Sequence, residues 1–273
     1  MTNLIDRVSF NDCFDRILDL FYMETGIVFK TKRDIAKRKI DTFLRKQGFR
    51  DCSSFLKALE DSDNLMQKLI DFLTVNETYF FREKHHFEII YDLLKDKKKP
   101  VRILSIPSSS GEEVYSLLIF LLEKGVDPSN FEIVGADINR EAVEKAKKGV
   151  FSFRSMMNVD ESVLDRYFER VDGNVYRIKD IYKRYVSFLN INLFSDRIFT
   201  LGKFDFILCR NLFIYFSEEY KQKAMDIFYK LLKDDGVLIL GHADTVREFK
   251  NFKREFNKGS YIYKKLEREE DVG

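Results

Sequence analysis

Three serines, a glycine and two acids stand in one short run, Ser108-Ser109-Ser110-Gly111-Glu112-Glu113. Serine and glycine make a flexible turn, and the acidic pair opens whatever follows it. A phosphate binder would offer bare amides here, as in the full G-x-G-x-x-G turn that this run lacks. Carboxylates suit a cationic or amino-bearing ligand instead. A blander reading stands beside it, in which Glu112 and Glu113 simply favour a helix amino terminus, as acids do in any first turn. Upstream, Asn76 and Thr78 run straight into Tyr79-Phe80-Phe81-Arg82, an odd mixture for a plain linker. His85 and His86 are adjacent and cannot share one helix face as metal ligands would, so they read as packing residues and no metal site is expected.

The elements that position these residues follow from periodicity. Val101, Ile103, Leu104 and Ile106 form a β-branched apolar run that fits a strand buried on both faces of a parallel sheet, and Pro107 stops it. Val114, Leu117, Leu118, Leu121 and Leu122 then recur at helical spacing. Residues 131–138 read as a second strand ending at Asp137. An acid there is placed to accept hydrogen bonds from ribose hydroxyls, or else to cap the next helix, a role Asn139 can fill itself. The segment from Val186 reads as a strand ending at Asn192, before Leu193, and 204–208 as another that delivers Cys209-Arg210-Asn211 to the same edge. Ser217 caps a helix to about Lys233, Gly236 ends it, and 237–241 is a further strand. Residues 252–256 and 261–265 close as an antiparallel hairpin through Lys258-Gly259. A small helical and β-hairpin insertion, about 151–190, surrounds Asp172-Gly173-Asn174. Alternating strands and helices define an α/β doubly wound sheet, whose carboxyl-end crevice gathers Ser109, Glu113, Asp137, Asn192, Arg210 and Asn211.

Residues 1 to about 73 carry apolar positions at spacings of three and four and read as an all-α bundle. The helix over 31–47, with Gly48 as its carboxyl cap, has two kinds of charge. Asp34, Arg38, Asp41 and Arg45 alternate in sign, whereas Arg33 and Lys37 on one flank, with Lys39 and Lys46 on the other, have no such partners. From Lys30 to Arg50 nine residues are basic and two acidic, in a 273-residue chain of formal charge +2. This is either a solvated face or a docking helix for an acidic surface. The overall charge is too small for global attraction to nucleic acid or membranes. Cys13, Cys52 and Cys209 form no close pair, which points to a reducing cytoplasm and to neither a disulfide framework nor a zinc site. No apolar run reaches membrane-spanning length.

The motifs resemble those of the chemotaxis receptor methyltransferases of the CheR type, from about Phe14 to Leu266. The matching residues are Asn76-x-Thr78-x-Phe80-Phe81-Arg82-Glu83-x-x-His86-Phe87, then Ser109-Ser110-Gly111-Glu112-Glu113-x-Tyr115-Ser116, Asp137-Ile138 and Asn192-Leu193. They continue through Phe204-Asp205-x-Ile207-x-Cys209-Arg210-Asn211-x-x-Ile214-Tyr215-Phe216 to Gly241-His242. The resemblance implies a class I methyltransferase sheet over 74–273, behind a helical domain over 1–73 that docks the receptor. It implies S-adenosylmethionine as cofactor, S-adenosylhomocysteine as product, and methyl transfer to glutamate side chains on the cytoplasmic domain of a chemoreceptor, a methyl-accepting chemotaxis protein. By position, Asn76, Thr78, Arg82, Glu113, Asp137, Asn192, Leu193, Arg210 and Asn211 would line the cofactor, with Arg82 and Tyr215 catalytic. Phe80 or Phe81 would face the sulfonium, and Arg33, Lys37, Lys39 and Lys46 would meet the receptor.

Three departures stand out. Val114 replaces a usual proline, Ala243-Asp244 replaces the common Ser-Glu, and Asp172-Gly173-Asn174 lacks the Gly-x-Gly with which some members grip a receptor's tail peptide. Tail tethering is therefore not expected. A cytoplasmic monomer that binds no nucleic acid and inserts in no membrane is. Two other functions fit the same residues: methyl transfer to RNA or a small molecule, and a non-catalytic module that binds S-adenosylhomocysteine.

Overall fold

The computed structural model describes residues 10–29, 33–244, 246 and 249–266. Lys30, Thr31 and Lys32 of the basic stretch, and the charged tail from Glu267, lie outside them. The chain divides into two compact units, one of Met1–Val75 with Tyr215–Tyr220 and one of Asn76–Ile214 with Lys221–Gly273.

The first unit holds α1 (Phe10–Thr25), α2 (Arg33–Lys46), α3 (Cys52–Glu60) and α4 (Asp63–Leu73). Local sequence sets their ends. Asp51 and Ser62 accept the amides of Ser54 and Leu65 and so cap α3 and α4. Gly48, at φ +86°, lets its own amide and that of Phe49 reach back to the carbonyls of Arg45 and Leu44, which closes α2 in a Schellman turn. Phe14, Ile17, Phe21, Ile40, Phe43, Phe55 and Leu69 are buried between the helices. The packing also overturns one expectation: Cys13 on α1 and Cys52 at the start of α3 form a disulfide, with 6.2 Å between their Cα atoms. Thirty-nine positions separate them, so their pairing is a property of how α1 meets α3 and not of local spacing.

The second unit runs α5 (His85–Leu94), β1 (Val101–Ser105), α6 (Glu112–Glu123), β2 (Phe131–Asp137) and α7 (Arg140–Lys148). It continues with β3 (Val150–Ser152), α8 (Glu161–Tyr167), β4 (Phe168–Asp172), β5 (Val175–Ile178), α9 (Asp180–Lys183) and β6 (Val186–Asn190). Then come β7 (Phe204–Cys209), α10 (Glu218–Leu231), β8 (Leu232–Leu240), β9 (Phe252–Asn257) and β10 (Ser260–Lys265). Seven strands form one sheet in the order β6-β2-β1-β7-β8-β10-β9, parallel except where β10 runs antiparallel to β8 and β9. β3, β5 and β4 form a small antiparallel sheet that is the insertion. The fold is therefore the doubly wound α/β sheet with an antiparallel carboxyl-terminal hairpin. Every residue of β7 is buried, as a strand covered on both faces requires. The strand order reverses between β1 and β7, and in such sheets the crevice at that switch point, outside the strands' carboxyl ends, takes the ligand.

Two boundaries differ from expectation. β6 stops at Asn190, so Asn192 sits in the turn beyond it, where its Oδ1 accepts the Phe194 amide. β8 starts at Leu232, and Gly236 lies inside it, where the register with β7 jumps between Phe204/Leu232 and Phe206/Val237. A Cβ on Gly236 would stand 2.8 Å from the Lys233 carbonyl oxygen, which leaves room for glycine alone in that irregularity.

Denatured without reductant, the air-oxidised protein should take up iodoacetamide at Cys209 alone, and after reduction at all three cysteines. Three reactive thiols before reduction would remove the bridge. Loop-closure entropy for a 39-residue separation amounts to about 4 kcal/mol, so reduction should lower the unfolding free energy of the helical unit by up to that amount in urea titrations.

Candidate functional site

The turn between β1 and α6 is shaped by tight approach. Gly111 has φ +97°, and a Cβ there would lie 2.9 Å from the Cβ of Ala146. Asp137, 3% exposed at the end of β2, accepts the Ser109 amide at 2.7 Å and the Asn139 amide at 2.8 Å. Asn139 caps α7 through the Ala142 amide. Among the described residues the buried hydroxyls of Ser108 and Ser109 find no hydrogen-bond partner. The rim thus carries polar capacity that its own residues leave unmet.

At the tip of β7, the Arg210 side chain is 2% exposed and lies between two carboxylates. Its Nε and Nη2 each stand 3.0 Å from Glu83 Oε2, its Nη2 also donates to the Arg82 carbonyl at 2.6 Å, and its Nη1 is 2.8 Å from Glu113 Oε2. The last contact lies off the N–H direction and is an ion pair without a hydrogen bond. Glu113 Oε1 accepts the Ser105 hydroxyl at 2.8 Å, and Glu83 Oε1 accepts the His242 amide at 3.0 Å. Burial pushes the Glu83 carboxyl up, but the Arg210 guanidinium and the His242 amide outweigh it and leave it below its ordinary value. Glu83 was not singled out as a site residue, although it follows Arg82 in the same aromatic segment.

Below it, His85 and His86 both bring Nε2 to the Ser260 hydroxyl, at 2.7 and 2.8 Å. These are packing histidines. Burial, reinforced by Arg210, takes His86 down to about 3. The neighbouring Asn211 adopts φ +59°, and its amide donates to Asp244, which also accepts the Gly241 amide at 3.1 Å. Burial pushes Asp244 up to about 6 despite these amides.

Beside the turn opens a cleft of about 850 Å³, lined by Asn76, Thr78, Tyr79, Arg82, Ser110, Glu112, Lys145 and Arg154 among others. The Arg82 guanidinium stacks 5.5 Å from the Tyr79 ring centroid. Its chain segment is kinked: Phe81 and Glu83 take φ +57° and +48°, left-handed conformations that cost about 1 to 3 kcal/mol each. The Phe80 amide bonds the Ser155 carbonyl and the Phe81 amide bonds the Ser116 hydroxyl, both at 2.9 Å. Phe80 is fully buried against Phe151 and Phe168, so it is a core residue that presents no face to a ligand. The acidic pair divides. Glu112 reaches the cleft, held by the Ser110 hydroxyl at 2.8 Å and raised above its ordinary value by burial, while Glu113 turns to Arg210.

The expected residues therefore fall into groups. Asn76, Thr78 and Arg82 share the cleft, Glu113 and Arg210 share the ion-pair cluster with Asn211 beside them, and Asp137 anchors the turn. Asn192 and the buried Leu193 follow β6. Tyr215 belongs to the helical unit, where its carbonyl accepts the Val28 amide. In that unit Arg33 and Lys37, read as unpartnered, both pair with Asp15 on α1, at 3.0 and 2.8 Å. Charges on α2 alone could not reveal a partner on another helix. Lys39 is exposed, and Lys46 lies 5.4 Å from the Phe72 centroid.

Residues 76–262 match the family described as CheR methyltransferase, SAM binding domain, and residues 12–74 match CheR methyltransferase, all-alpha domain. The chain belongs to the CheR methyltransferase family. It is similar to chemotaxis protein methyltransferases of Campylobacter jejuni (36% identity, 89% of this chain and 92% of the relative) and Escherichia coli (33%, 96% and 94%). A chemotaxis protein methyltransferase 2 of Vibrio cholerae is 37% identical over 92% of each chain. The cofactor of this CheR protein is S-adenosylmethionine. The rim suits it: two unpartnered serine hydroxyls offer hydrogen bonds, and Glu83, Glu113 and Arg210 sum to one negative charge beside the turn, which favours a cation. Among the described residues no helix is long and apolar enough to cross a membrane, and no three metal-ligating side chains converge.

The His86 environment has a measurable consequence. Its value in the fold lies below the ordinary 6.5, so the stability it confers is fully present above pH 6.5 and is lost as pH falls towards 3. Asp244, raised in the fold, acts oppositely: its contribution is present below about pH 4 and is lost as pH rises through about 6. Comparing parent with His86→Gln cancels the Asp244 contribution. The unfolding free energy of the parent should fall relative to the variant by up to about 1.4 kcal/mol per pH unit between pH 6 and 4. Parallel urea-derived curves would show that His86 is not held neutral.

Proposed function

We propose that this CheR-family enzyme transfers the methyl group of S-adenosylmethionine to glutamate side chains on the cytoplasmic helices of a chemoreceptor. The observation that carries the reading is the cleft holding Arg82. Its charged lining is three cations, Arg82, Lys145 and Arg154, against Glu77 and a Glu112 whose burial favours the neutral form. An acidic peptide is the complementary guest. When bound, the cofactor supplies an electrophilic methyl on a positively charged sulfur. Asn76, Thr78, Glu113, Asp137, Asn192, Leu193, Arg210 and Asn211 are the residues to hold it.

A glutamate side chain has an ordinary pKa of about 4.3 and is already an anion at neutral pH, so the chain needs no general base. Arg82 orients that carboxylate, and alignment of this kind is worth about 7 to 11 kcal/mol when geometry is good. The clamp must stay loose, because holding the nucleophile more tightly in the ground state than in the transition state slows attack. The helical unit docks the receptor through α2, and the protein works as a cytoplasmic monomer without gripping a tail peptide.

With labelled cofactor and receptor cytoplasmic fragments, Arg82→Ala should lose about a hundredfold in base-labile methyl ester formation. Turnover near the parental rate, or label recovered in nucleic acid, would refute the assignment. Docking is best probed at Lys39 and Lys46, because reversing Arg33 or Lys37 would crowd carboxylates around Asp15. Lys39→Glu with Lys46→Glu should raise KM for the receptor fragment at least fivefold and leave S-adenosylhomocysteine affinity and Tm unchanged. Unchanged KM would remove α2 from the docking surface.

A further inference from the structure

We propose that Glu83 is a positioning residue for Arg82, fixing where the arginine enters the cleft without touching substrate itself. The inference rests on the reading that Arg82 orients the substrate carboxylate. Arg82 stands between two residues with left-handed backbone, Phe81 and Glu83. The attachments before it, from the Phe80 amide to Ser155 and from the Phe81 amide to Ser116, hold only the entry to the kink. Its exit is held by the Glu83 carbonyl, which accepts the His86 amide at 2.9 Å, and by the side chains of Glu83 and Arg210. Glu83 gives one carboxylate oxygen to the His242 amide beyond β8 and the other to Arg210 at the tip of β7, and Arg210 also donates to the Arg82 carbonyl. The Glu83 side chain therefore ties the kink to both strand tips, and Arg210 adds a second tie to the tip of β7. The Arg82 guanidinium, stacked over Tyr79 and lining the cleft, takes its direction from that backbone.

A merely structural Glu83 would neutralise Arg210 and nothing more, and its loss would then act independently of Arg82. A cycle of Glu83→Gln, Arg82→Ala and the double variant in the full chain separates the two roles. The readouts are kcat with a receptor cytoplasmic fragment, Kd for S-adenosylhomocysteine by calorimetry, and Tm. Glu83→Gln should lower kcat at least tenfold with Kd changed less than threefold, and should cost less than twofold further when Arg82 is already alanine. Multiplicative losses, a Kd that rises as far as kcat falls, or kcat within twofold of the parent would each overturn the proposal. Should Glu83→Gln fail to fold, Glu83→Asp keeps the charge and withdraws the carboxylate by one methylene. It should lower kcat at least threefold in the parent and not at all beside Arg82→Ala, and an equal loss in both would overturn the proposal. Parental turnover in Arg82→Ala would instead sink the functional reading on which the inference stands, and the inference with it.

Discussion

The active end of the sheet depends on one buried guanidinium. Arg210 lies almost wholly out of water, and such a charge persists only where partners replace the lost hydration. Glu83 and Glu113 supply them, and each carboxylate brings a different part of the chain: Glu113 the first turn of α6, Glu83 the segment that carries Arg82. The arrangement is costly to break at any point, since removing one partner of a buried pair leaves an uncompensated charge worth about 3 to 5 kcal/mol. Because two carboxylates share one arginine, the cluster keeps a net negative charge while every member is paired. A site can thus be rigid and still attract a cation.

Rigidity is also written in the backbone. Phe81, Glu83, Ser109 and Asn211 all take left-handed conformations, and all lie in segments at the carboxyl edge of the sheet or lining the cleft beside it. Strain of this kind survives only where surroundings over-determine it. Here Asp137 holds Ser109, Asp244 holds Asn211, and the aromatic core of Phe80, Phe151 and Phe168 backs the kink around Arg82. Packing energy from the core is in effect spent at the rim, where it fixes polar groups that would otherwise wander.

Much of this was legible in the sequence, and the illegible part has a common cause. The apolar runs at 101–106, 131–138 and 204–208 announced buried strands, and Lys258-Gly259 announced a tight hairpin, because those signals are local. Asp137, Glu113 and Arg210 were singled out by residue type and position at strand or helix ends, and Arg82 by its aromatic segment and the family resemblance. What failed were pairings across the fold. Cys13 with Cys52, and Asp15 with Arg33 and Lys37, join different helices of the bundle, and no spacing within one helix encodes them. Phe80 or Phe81 was expected to face the sulfonium, yet contacts with Phe151 and Phe168 bury Phe80. Gly236 looked like a helix stop, and only the register of β8 against β7 explains it.

The acidic pair at the start of α6 shows why the two readings of that motif were hard to separate. Successive residues on a helix point about 100° apart, so Glu112 and Glu113 cannot look the same way even though both sit in the first turn. One lines the cleft, and the other meets Arg210. A dipole argument treats them as equivalent and can account for neither destination. Their environments then pull them apart chemically. Burial raises Glu112 above its ordinary value, and even with Glu77 and Glu112 both charged, Arg82, Lys145 and Arg154 leave the lining of the cleft net positive. Glu113, locked to a guanidinium it shares with Glu83, contributes to a cluster of opposite sign one residue away. A single helix turn thus sets a net-negative cluster beside a cleft whose charged lining is mostly cationic.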